Sequence, residues 1–263
     1  FSASDINNDE KKDIIIFDRK ANKWLIFLNE GNLEFKYAPQ YEILYPEIIN
    51  MGLIRDYNCD GQGDIFAHTN QGIQVFENTH VDGNPSFVKV KSILKYQLGI
   101  GSNNIYKFNS DIAAIEDFDG DGDIDVLSFD LLGTTIPYYR NLSVENGFGC
   151  DSLIFEENTV CWGNFREGGL DNSIELNFSC KGSSGFEEHF PGNGSRHTGS
   201  TLTVLDFDDD NDMDILLGDV AYNNLVYLEN GGTNFTANMV SEEQDFPSTN
   251  TSVNLPIFPA AFY

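Results

Sequence analysis

Positive charge is scarce in this sequence. Lys and Arg together number 15 against 42 Asp and Glu, so the formal net charge of the 263 residues is −27 at pH 7. No cluster of basic residues offsets this charge, which makes nucleic acid and anionic membrane surfaces poor partners. The chain also lacks an apolar run long enough to span a bilayer, so we expect no membrane insertion.

Patterns typical of zinc sites and catalytic triads are missing as well. The four Cys and four His include no Cys-x-x-Cys pair and no paired His. Two groups could still do acid/base chemistry, although a solvated loop is the simpler interpretation of both: His197 beside Arg196, and the run Glu187-Glu188-His189. We therefore expect no catalytic residues. A glycan-directed hydrolase or lyase is the alternative, because a catalytic carboxylate pair cannot be picked out among so many Asp residues.

Four acidic loops of one design are the most informative feature that the chain does contain. Loops 1 to 4 are residues 5–13, 56–64, 117–125 and 206–214, and each carries oxygen-bearing side chains at positions one, three, five and nine. These side chains are Asp5, Asn7, Asp9 and Asp13 in loop 1; Asp56, Asn58, Asp60 and Asp64 in loop 2; Asp117, Asp119, Asp121 and Asp125 in loop 3; and Asp206, Asp208, Asp210 and Asp214 in loop 4. Alternate residues of a tight loop can direct their oxygens at one point, as Ca²⁺ requires.

The loops predict three to four structural Ca²⁺ ions. The residues at position seven, from which we expect main-chain carbonyl ligands, are Lys11, Gln62, Asp123 and Asp212. An EF-hand is excluded, because its bidentate Glu at position twelve is replaced by strand residues. Position six favours Gly or Asn, which tolerate a left-handed backbone, and loop 1 is the weakest site because it has Glu10 there. The alternative is that the loops are solvated acidic turns.

The apolar segments around the loops predict an all-β fold. A short β-branched or aromatic run follows each loop, a second run ends on Asn29, Asn78, Asn141 or Asn230, and a third contains Phe35, Phe87, Phe155 or Phe235. A fourth apolar segment leads into the next loop. Runs of this length bounded by turn residues are typical of buried strands, and no amphipathic helical pattern of useful length is present.

Four strands plus one loop per unit is typical of a β-propeller blade. We expect blades at about residues 1–55, 56–116, 117–205 and 206–263, with an insertion at 150–196 in the third. The last residues, 259–263, resemble the strand that precedes each loop. We therefore expect these four blades to belong to a larger ring of about seven.

The cysteines suit an extracytoplasmic setting. Four Cys allow three pairings, and we expect Cys161 to pair with Cys180 within the insertion, which leaves Cys59 to pair with Cys150. Free buried thiols are the alternative.

The loops resemble the FG-GAP and VCBS repeats of integrin-α-like β-propellers. Several stretches also resemble secreted VCBS-repeat proteins of Bacteroidota that are exported by type IX secretion. They are Phe17-Asp-Arg19, Tyr37-Ala-Pro-Gln-Tyr41, Arg55-Asp-Tyr-Asn-Cys-Asp-Gly61, Cys161-Trp-Gly-Asn-Phe165, Arg196-His-Thr-Gly-Ser200, Leu216-Leu-Gly-Asp219 through Asn230-Gly-Gly232, and Phe258-Pro-Ala-Ala261. The resemblance implies a calcium-stabilised propeller that is secreted or held at the cell surface. It also implies contact with the secretion machinery through parts outside this chain.

We expect a non-catalytic module for recognition or adhesion that binds a glycan or protein ligand. A purely structural spacer is a further alternative. Trp24 and Trp162 are candidate ligand contacts, although Trp24 begins an apolar strand and Trp162 could pack against a disulfide. We expect ligand specificity to lie in the insertion at 150–196, because it interrupts the repeat.

Overall fold

The computed structural model describes residues 1–168, 172–179, 199–256 and 258–262. The described strands form five sheets, and four of them are arranged as a four-bladed β-propeller, which confirms the predicted fold class. The expected larger ring concerns more chain than these 263 residues and stays a prediction. No helix among the described residues has the length and apolar character needed to cross a membrane.

Blades 1 and 2 are antiparallel sheets of four strands in chain order. Blade 1 consists of β1 (Ser2–Ser4), β2 (Asp13–Asp18), β3 (Lys23–Gly31) and β4 (Glu34–Tyr37). A short 3-10 helix, Pro39–Leu44, connects it to blade 2. Blade 2 consists of β5 (Gly52–Arg55), β6 (Asp64–Thr69), β7 (Gly72–Asn78) and β8 (Phe87–Lys91).

Blade 3 contains an additional hairpin. The hairpin is formed by β9 (Lys95–Leu98) and β10 (Gly101–Asn104), and the blade itself by β11 (Ala114–Glu116), β12 (Asp125–Leu127), β13 (Tyr138–Asn141) and β14 (Phe155–Thr159). Strand β9 pairs with β14 in parallel, so the hairpin extends the outer edge of the sheet. The sequence analysis did not predict this hairpin.

Blade 4 follows a small two-stranded sheet. The small sheet pairs β15 (Arg166–Glu167) with β16 (Ile174–Glu175). Blade 4 consists of β17 (Ser200–Leu205), β18 (Asp214–Asp219), β19 (Leu225–Asn230) and β20 (Met239–Glu243). Phe235 lies before β20 and is exposed, so the expectation that it belongs to the third strand after its loop is wrong.

The strand that precedes each acidic loop pairs with the strand that follows it. Strand β5 thus pairs with β6 across loop 2, and β17 pairs with β18 across loop 4. The expected unit boundaries, after residues 55, 116 and 205, therefore fall inside the sheets. Each blade begins about one strand earlier than the spacing of the loops suggests.

The hydrophobic core lies between neighbouring blades. One cluster joins blades 1 and 2 around Trp24 and Ile65, another joins blades 2 and 3 around Phe66 and Val126, and a third joins blades 3 and 4. Strands that are buried on both faces explain the continuous apolar runs, such as Ile65, Phe66 and Ala67 in β6. Each blade therefore depends on its neighbours to bury its apolar side chains.

The innermost elements of the blades contact one another around a common axis. The Ile54 main-chain N–H donates to Ser2 Oγ at 3.0 Å, which links blades 2 and 1. Residues 258–262 lie beside β17, because Thr201 Oγ1 and Thr203 Oγ1 donate to the carbonyls of Pro259 and Ala261 at 3.2 and 2.6 Å. The rings of Phe1 and Phe262 then meet with their centroids 5.7 Å apart.

The described part of the insertion belongs to the core. Trp162 and Phe165 are both buried between blades 3 and 4, and Trp162 Nε1 donates to the carbonyl of Asn234 at 3.0 Å. Trp24 is also buried, with its Nε1 bonded to the carbonyl of Pro46. This part of the insertion therefore interrupts the repeat but packs in the blade core. Both Trp side chains are buried and present almost no surface to a ligand.

Candidate functional site

All four acidic loops lie at one face of the propeller, because each connects the innermost strand of a blade to the second strand. In every loop the carboxylate at position one accepts hydrogen bonds from main-chain N–H groups later in the same loop. Asp56 accepts the main-chain N–H groups of Asp60 and Gly61 at 3.2 and 2.8 Å, and Asp117 accepts those of Gly120 and Gly122 at 2.8 and 3.0 Å. The first Asp therefore sets the curvature of the loop from the inside.

Position six adopts the left-handed backbone that the sequence predicts. The φ angle is 85° at Gly61, 103° at Gly122 and 73° at Asn211. Glu10 takes the same conformation in loop 1 with φ of 64°. A residue other than Gly or Asn has an energetic cost in this conformation, because its Cβ atom crowds the backbone. Loop 1 is thus the least favourable of the four in its backbone as well as in its sequence.

The Asp at position nine is buried in all four loops and is held by main-chain donors. Asp64 Oδ2 accepts the N–H of Tyr57 at 3.1 Å, and its Oδ1 accepts that of Asn78 at 2.7 Å. The other position-nine carboxylates accept the corresponding main-chain N–H groups: Asp13 accepts those of Ile6 and Asn29, Asp125 those of Phe118 and Asn141, and Asp214 those of Phe207 and Asn230. The Asn at the end of the third strand is therefore the partner of the loop, which explains its regular spacing in the sequence.

Burial makes the charged form of these carboxylates costly. It raises the pKa of Asp64 to about 7 and that of Asp125 to about 8, although main-chain N–H donors act in the opposite direction. It also raises the pKa of Asp123 and of Asp212 to about 6. A bound divalent cation would remove this cost, because it pairs with the charged form.

Loops 3 and 4 bring several acidic oxygens close together. Oxygens of three carboxylates lie within 4.8 Å of one another in the groups Asp117, Asp119 and Asp125; Asp119, Asp121 and Glu145; and Asp206, Asp208 and Asp210. Within the described residues, Asp121 Oδ2, Asp123 Oδ1 and Asp212 Oδ1 are buried and have no hydrogen-bond partner. Buried carboxylate oxygens without donors fit the ligand set of a hard cation. The residues present at loops 3 and 4 therefore fit Ca²⁺.

Two loops already contain a cationic side chain. In loop 1, Lys11 Nζ lies 2.9 Å from Asp9 Oδ2. At loop 3, the side chain of Arg140 reaches the loop from β13: its Nε lies 2.7 Å from Asp119 Oδ2, and the same guanidinium pairs with Glu145 and lies 3.8 Å from Asp121 Oδ2. Each cation supplies local positive charge where an ion would otherwise bind, so loops 2 and 4 are the loops without an internal competitor among the described residues.

The side chains at position seven are buried in loops 3 and 4, while the expected role of the main-chain carbonyls at this position stays a prediction. The Asp123 side chain is buried, and its Oδ2 accepts the main-chain N–H of Val144 at 2.9 Å. Asp212 is buried too. Glu145 is a further member of the loop 3 group that the sequence analysis did not identify, because it lies outside the repeated motif.

A disulfide joins loop 2 to blade 3. The bond between Cys59 and Cys150 confirms the expected pairing, with the two Cα atoms 6.0 Å apart. Cys59 is the fourth residue of loop 2, and Cys150 lies between β13 and β14. Cys180, the expected partner of Cys161, lies outside the described residues.

The opposite face contains a buried polar group near the propeller axis. Lys107 Nζ donates to the carbonyls of Phe108 and Asp111 at 2.8 and 2.7 Å, and burial lowers the pKa of Lys107 to about 7. Burial and the nearby Lys107 and Arg19 lower the pKa of His68 to about 4. The expected acid/base candidates His197 and Glu187-Glu188-His189 lie outside the described residues. The two Lys107 hydrogen bonds lie within the segment that leads from β10 into β11 of blade 3.

A pocket opens at this second face between blades 2 and 3. It has a volume of about 800 Å³ and is lined by residues of the β6–β7 turn, the β9–β10 hairpin, the β12–β13 connection and β14. Its polar side chains include Asn70, Asn103, Asp130 and Glu157, and its aromatic side chains include Tyr96 and Tyr139. None of these residues belongs to an acidic loop, and the sequence analysis did not identify them.

The comparisons with known proteins identify no family. No protein-family model matches the chain, and no curated protein sequence matches it. Among solved structures, the chain is similar to a lectin from Agrocybe aegerita, which is described as specifically recognising non-reducing terminal N-acetylglucosamine, with a TM-score of 0.41 and 15% identity. The match covers 94% of this chain and 52% of the lectin chain, so this chain spans about half the length of that protein. A likeness of this size says nothing about the ligand of this chain.

Proposed function

We propose that this chain is a non-catalytic, calcium-binding β-propeller that recognises a glycan or protein ligand outside the cell. The metals are structural. They occupy loops 1 to 4 through the side chains at positions one, three, five and nine and the main-chain carbonyls at position seven. The observation that carries the metal assignment is the set of buried carboxylate oxygens without donors in loops 3 and 4.

A bound Ca²⁺ would offset the mutual repulsion of the loop carboxylates, and the chain's own residues hold those carboxylates in place. The position-one Asp curves the loop, and the position-nine Asp fixes it to the end of the third strand. Because the loops lie far from the pocket face, the ions stabilise the blades without touching a ligand there. The loops lie at one face and the pocket at the other, and this separation favours a structural role for the metal.

The extracellular setting is supported by the Cys59–Cys150 disulfide, since such bonds persist in oxidising compartments. The resemblance to FG-GAP and VCBS repeats, and to proteins of Bacteroidota exported by type IX secretion, supports a secreted or surface-bound location. It also supports contact with the secretion machinery through parts outside this chain.

Native mass spectrometry of the full chain tests the metal assignment. The protein is stripped with chelator and reloaded with Ca²⁺, Mg²⁺, Mn²⁺ or Zn²⁺ at equal concentration. We expect three to four bound Ca²⁺ ions, and one fewer in Asp208→Ala, which removes a loop 4 ligand. Asp82→Asn, in the exposed turn between β7 and β8 and outside the four loops, is the matched control, because Asn tolerates the φ of 52° at this position. Equal occupancy in Asp208→Ala and the wild type would contradict the assignment.

A further inference from the structure

The pocket between blades 2 and 3 is built from segments that are far apart in the sequence. Asn70 and Gln71 come from the β6–β7 turn, Asn103 from β10, Asp130 from the β12–β13 connection, and Glu157 from β14. The volume of about 800 Å³ lies in the range of small-molecule sites. Since the β9–β10 hairpin supplies one wall, the pocket exists only because blade 3 carries this additional hairpin.

Two tyrosines provide the aromatic part of the pocket. Tyr96 and Tyr139 lie on β9 and β13, and their ring centroids are 4.9 Å apart with the planes tilted by 43°. Asn103 Nδ2 lies 3.4 Å from the Tyr96 hydroxyl, and this hydroxyl also hydrogen-bonds Glu157. Both rings are largely buried, so they present only edges to the pocket, and the Tyr96 hydroxyl adds a polar group beside them. An apolar edge next to a polar group suits the alternating character of a sugar ring.

Two carboxylates provide hydrogen-bond acceptors. Asp130 Oδ1 accepts the main-chain N–H groups of Thr134 and Thr135 at 2.8 and 3.3 Å, which fixes the orientation of the side chain and directs the carboxyl group from a rigid turn. Glu157 is half-buried on β14 and is oriented by Tyr96. Carboxylates accept hydrogen bonds from hydroxyl groups and form strong charge-assisted bonds with them.

The charge of the pocket restricts the class of ligand. No Lys or Arg occurs among the described residues that line it, and the protein as a whole carries a net charge of −27. A phosphate, sulfate or carboxylate group would therefore be repelled by Asp130 and Glu157 without a compensating cation. Hydroxyl and amide groups of an uncharged ligand would meet acceptors at the two carboxylates and both donors and acceptors at Asn70, Gln71 and Asn103.

We propose that this pocket binds a neutral sugar residue. The sugar hydroxyls donate to Glu157 and Asp130, the amides of Asn70 and Asn103 complete the polar contacts, and the ring edges of the largely buried Tyr96 and Tyr139 that line the pocket contact the apolar face of the sugar. This assignment rests on the proposed recognition function and gives it a site and a ligand class. It places specificity partly in the expected insertion, through Glu157 on β14, and partly on the β9–β10 hairpin, which the sequence analysis did not predict.

The test uses the full chain loaded with Ca²⁺ on an array of neutral and acidic oligosaccharides, followed by calorimetry with the best neutral binder. We expect Glu157→Gln and Asn103→Ala to weaken binding at least tenfold. Glu156→Gln is the matched control, because Glu156 is the neighbouring residue on β14 and its side chain alternates to the other face of the sheet. It should bind as the wild type does. Circular dichroism and melting curves confirm that each variant folds.

Each outcome of this test has a defined meaning. Weaker binding in Glu157→Gln and Asn103→Ala, with unchanged binding in Glu156→Gln, supports the pocket. Unchanged neutral-glycan binding in the two pocket variants overturns the pocket and leaves glycan recognition standing. A preference of the wild type for acidic glycans, or no binding of any neutral glycan, also overturns the pocket. The metal assignment is unaffected in each case, since it is measured by ion stoichiometry.

Discussion

The main-chain N–H of Asn141 donates to Oδ1 of Asp125 at 2.7 Å, and this bond joins the last residue of loop 3 to the end of the third strand of its blade. The equivalent bonds in the other blades measure 2.7, 2.7 and 2.8 Å. The Asp at position nine of each loop therefore has two roles. It is a candidate metal ligand, and it fastens the loop to the neighbouring hairpin even without metal.

Loss of a ninth-position Asp should destabilise the protein whether or not calcium is present. Asp125→Ala removes the acceptor of three buried donors: the N–H groups of Phe118 and Asn141 and the Tyr138 hydroxyl. Each buried donor left without a partner costs about 1–3 kcal/mol. We expect a loss of roughly 3 kcal/mol or more in the free energy of unfolding, measured by urea denaturation in chelator.

Asp121→Ala is the matched comparison within the same loop. Asp121 accepts one N–H, from Asp123, and its buried Oδ2 has no hydrogen bond but lies 3.8 Å from the Arg140 guanidinium, a long and weak ion pair. We therefore expect a change of less than about 1 kcal/mol in chelator, but loss of the third Ca²⁺ site and of the stability that calcium adds there. Equal destabilisation of the two variants in chelator would show that position nine has no separate role.

Stability without metal should fall as the pH rises. The pKa of Asp125 is raised to about 8 and that of Asp64 to about 7, whereas an unfolded Asp titrates near pH 4. Between these values the folded protein binds more protons than the unfolded chain, so the free energy of unfolding decreases with increasing pH. In chelator we expect the melting temperature to fall from about pH 5 to pH 8, by ~2–4 °C for each kcal/mol lost.

Saturating Ca²⁺ should weaken or reverse this trend, because the ion binds the deprotonated carboxylates. The matched control is the Asp125→Asn variant, in which position 125 no longer titrates. Its melting temperature in chelator should depend less on pH than that of the wild type. A wild-type melting temperature in chelator that rises steadily from pH 5 to pH 8 would contradict the role assigned to these buried carboxyl groups.

Removal of Arg140 should strengthen calcium binding at loop 3. Its guanidinium pairs with Asp119 and Glu145, so an arriving Ca²⁺ must compete with an internal cation. Arg140→Gln leaves these carboxylates free and raises the local negative charge. We expect the affinity of one site to rise about tenfold, which corresponds to ~1.4 kcal/mol. Arg166→Gln, on β15 away from the loops, serves as the control; an unchanged or lower affinity in Arg140→Gln would contradict the competition.

The disulfide between loop 2 and blade 3 should contribute substantially to stability. Cys59 and Cys150 are 91 residues apart in sequence, and closing a loop of this length removes at most about 4–5 kcal/mol of unfolded-state entropy. We expect the Cys59→Ser, Cys150→Ser double variant to melt at lower temperature than the wild type and to bind Ca²⁺ more weakly at loop 2. Unchanged melting with Ca²⁺ present would contradict this contribution.

Much of the fold could be predicted from local sequence. The runs Ile14 to Phe17 and Ile65 to Ala67 become β2 and β6, because short apolar β-branched runs bounded by turns are typical of buried strands. The spacing of the loops indicates the number of blades but not where each blade begins. No feature of the sequence shows whether the strand before a loop belongs to the preceding unit or to the following one. The β9–β10 hairpin was not predicted, because its exposed polar residues lack a strand pattern.

The candidate site could be predicted only in the part that repeats. The loop carboxylates follow one motif, whereas Arg140 and Glu145 reach loop 3 from the end of β13 and the segment after it, which depends on tertiary contact. The pocket likewise combines Asn70, Asn103 and Glu157 from three separate segments. The insertion was favoured because it interrupts the repeat, but Trp162 within it packs in the core between blades 3 and 4.

The most direct measurement is a calorimetric Ca²⁺ titration of the full chain, combined with thermal melts in calcium and in chelator. The account predicts three to four sites, with loops 2 and 4 binding more tightly than loops 1 and 3, and a much lower melting temperature after chelation. An absence of Ca²⁺ binding, or identical melting with and without the ion, would contradict it. The four loops would then be acidic turns held by their own main-chain hydrogen bonds.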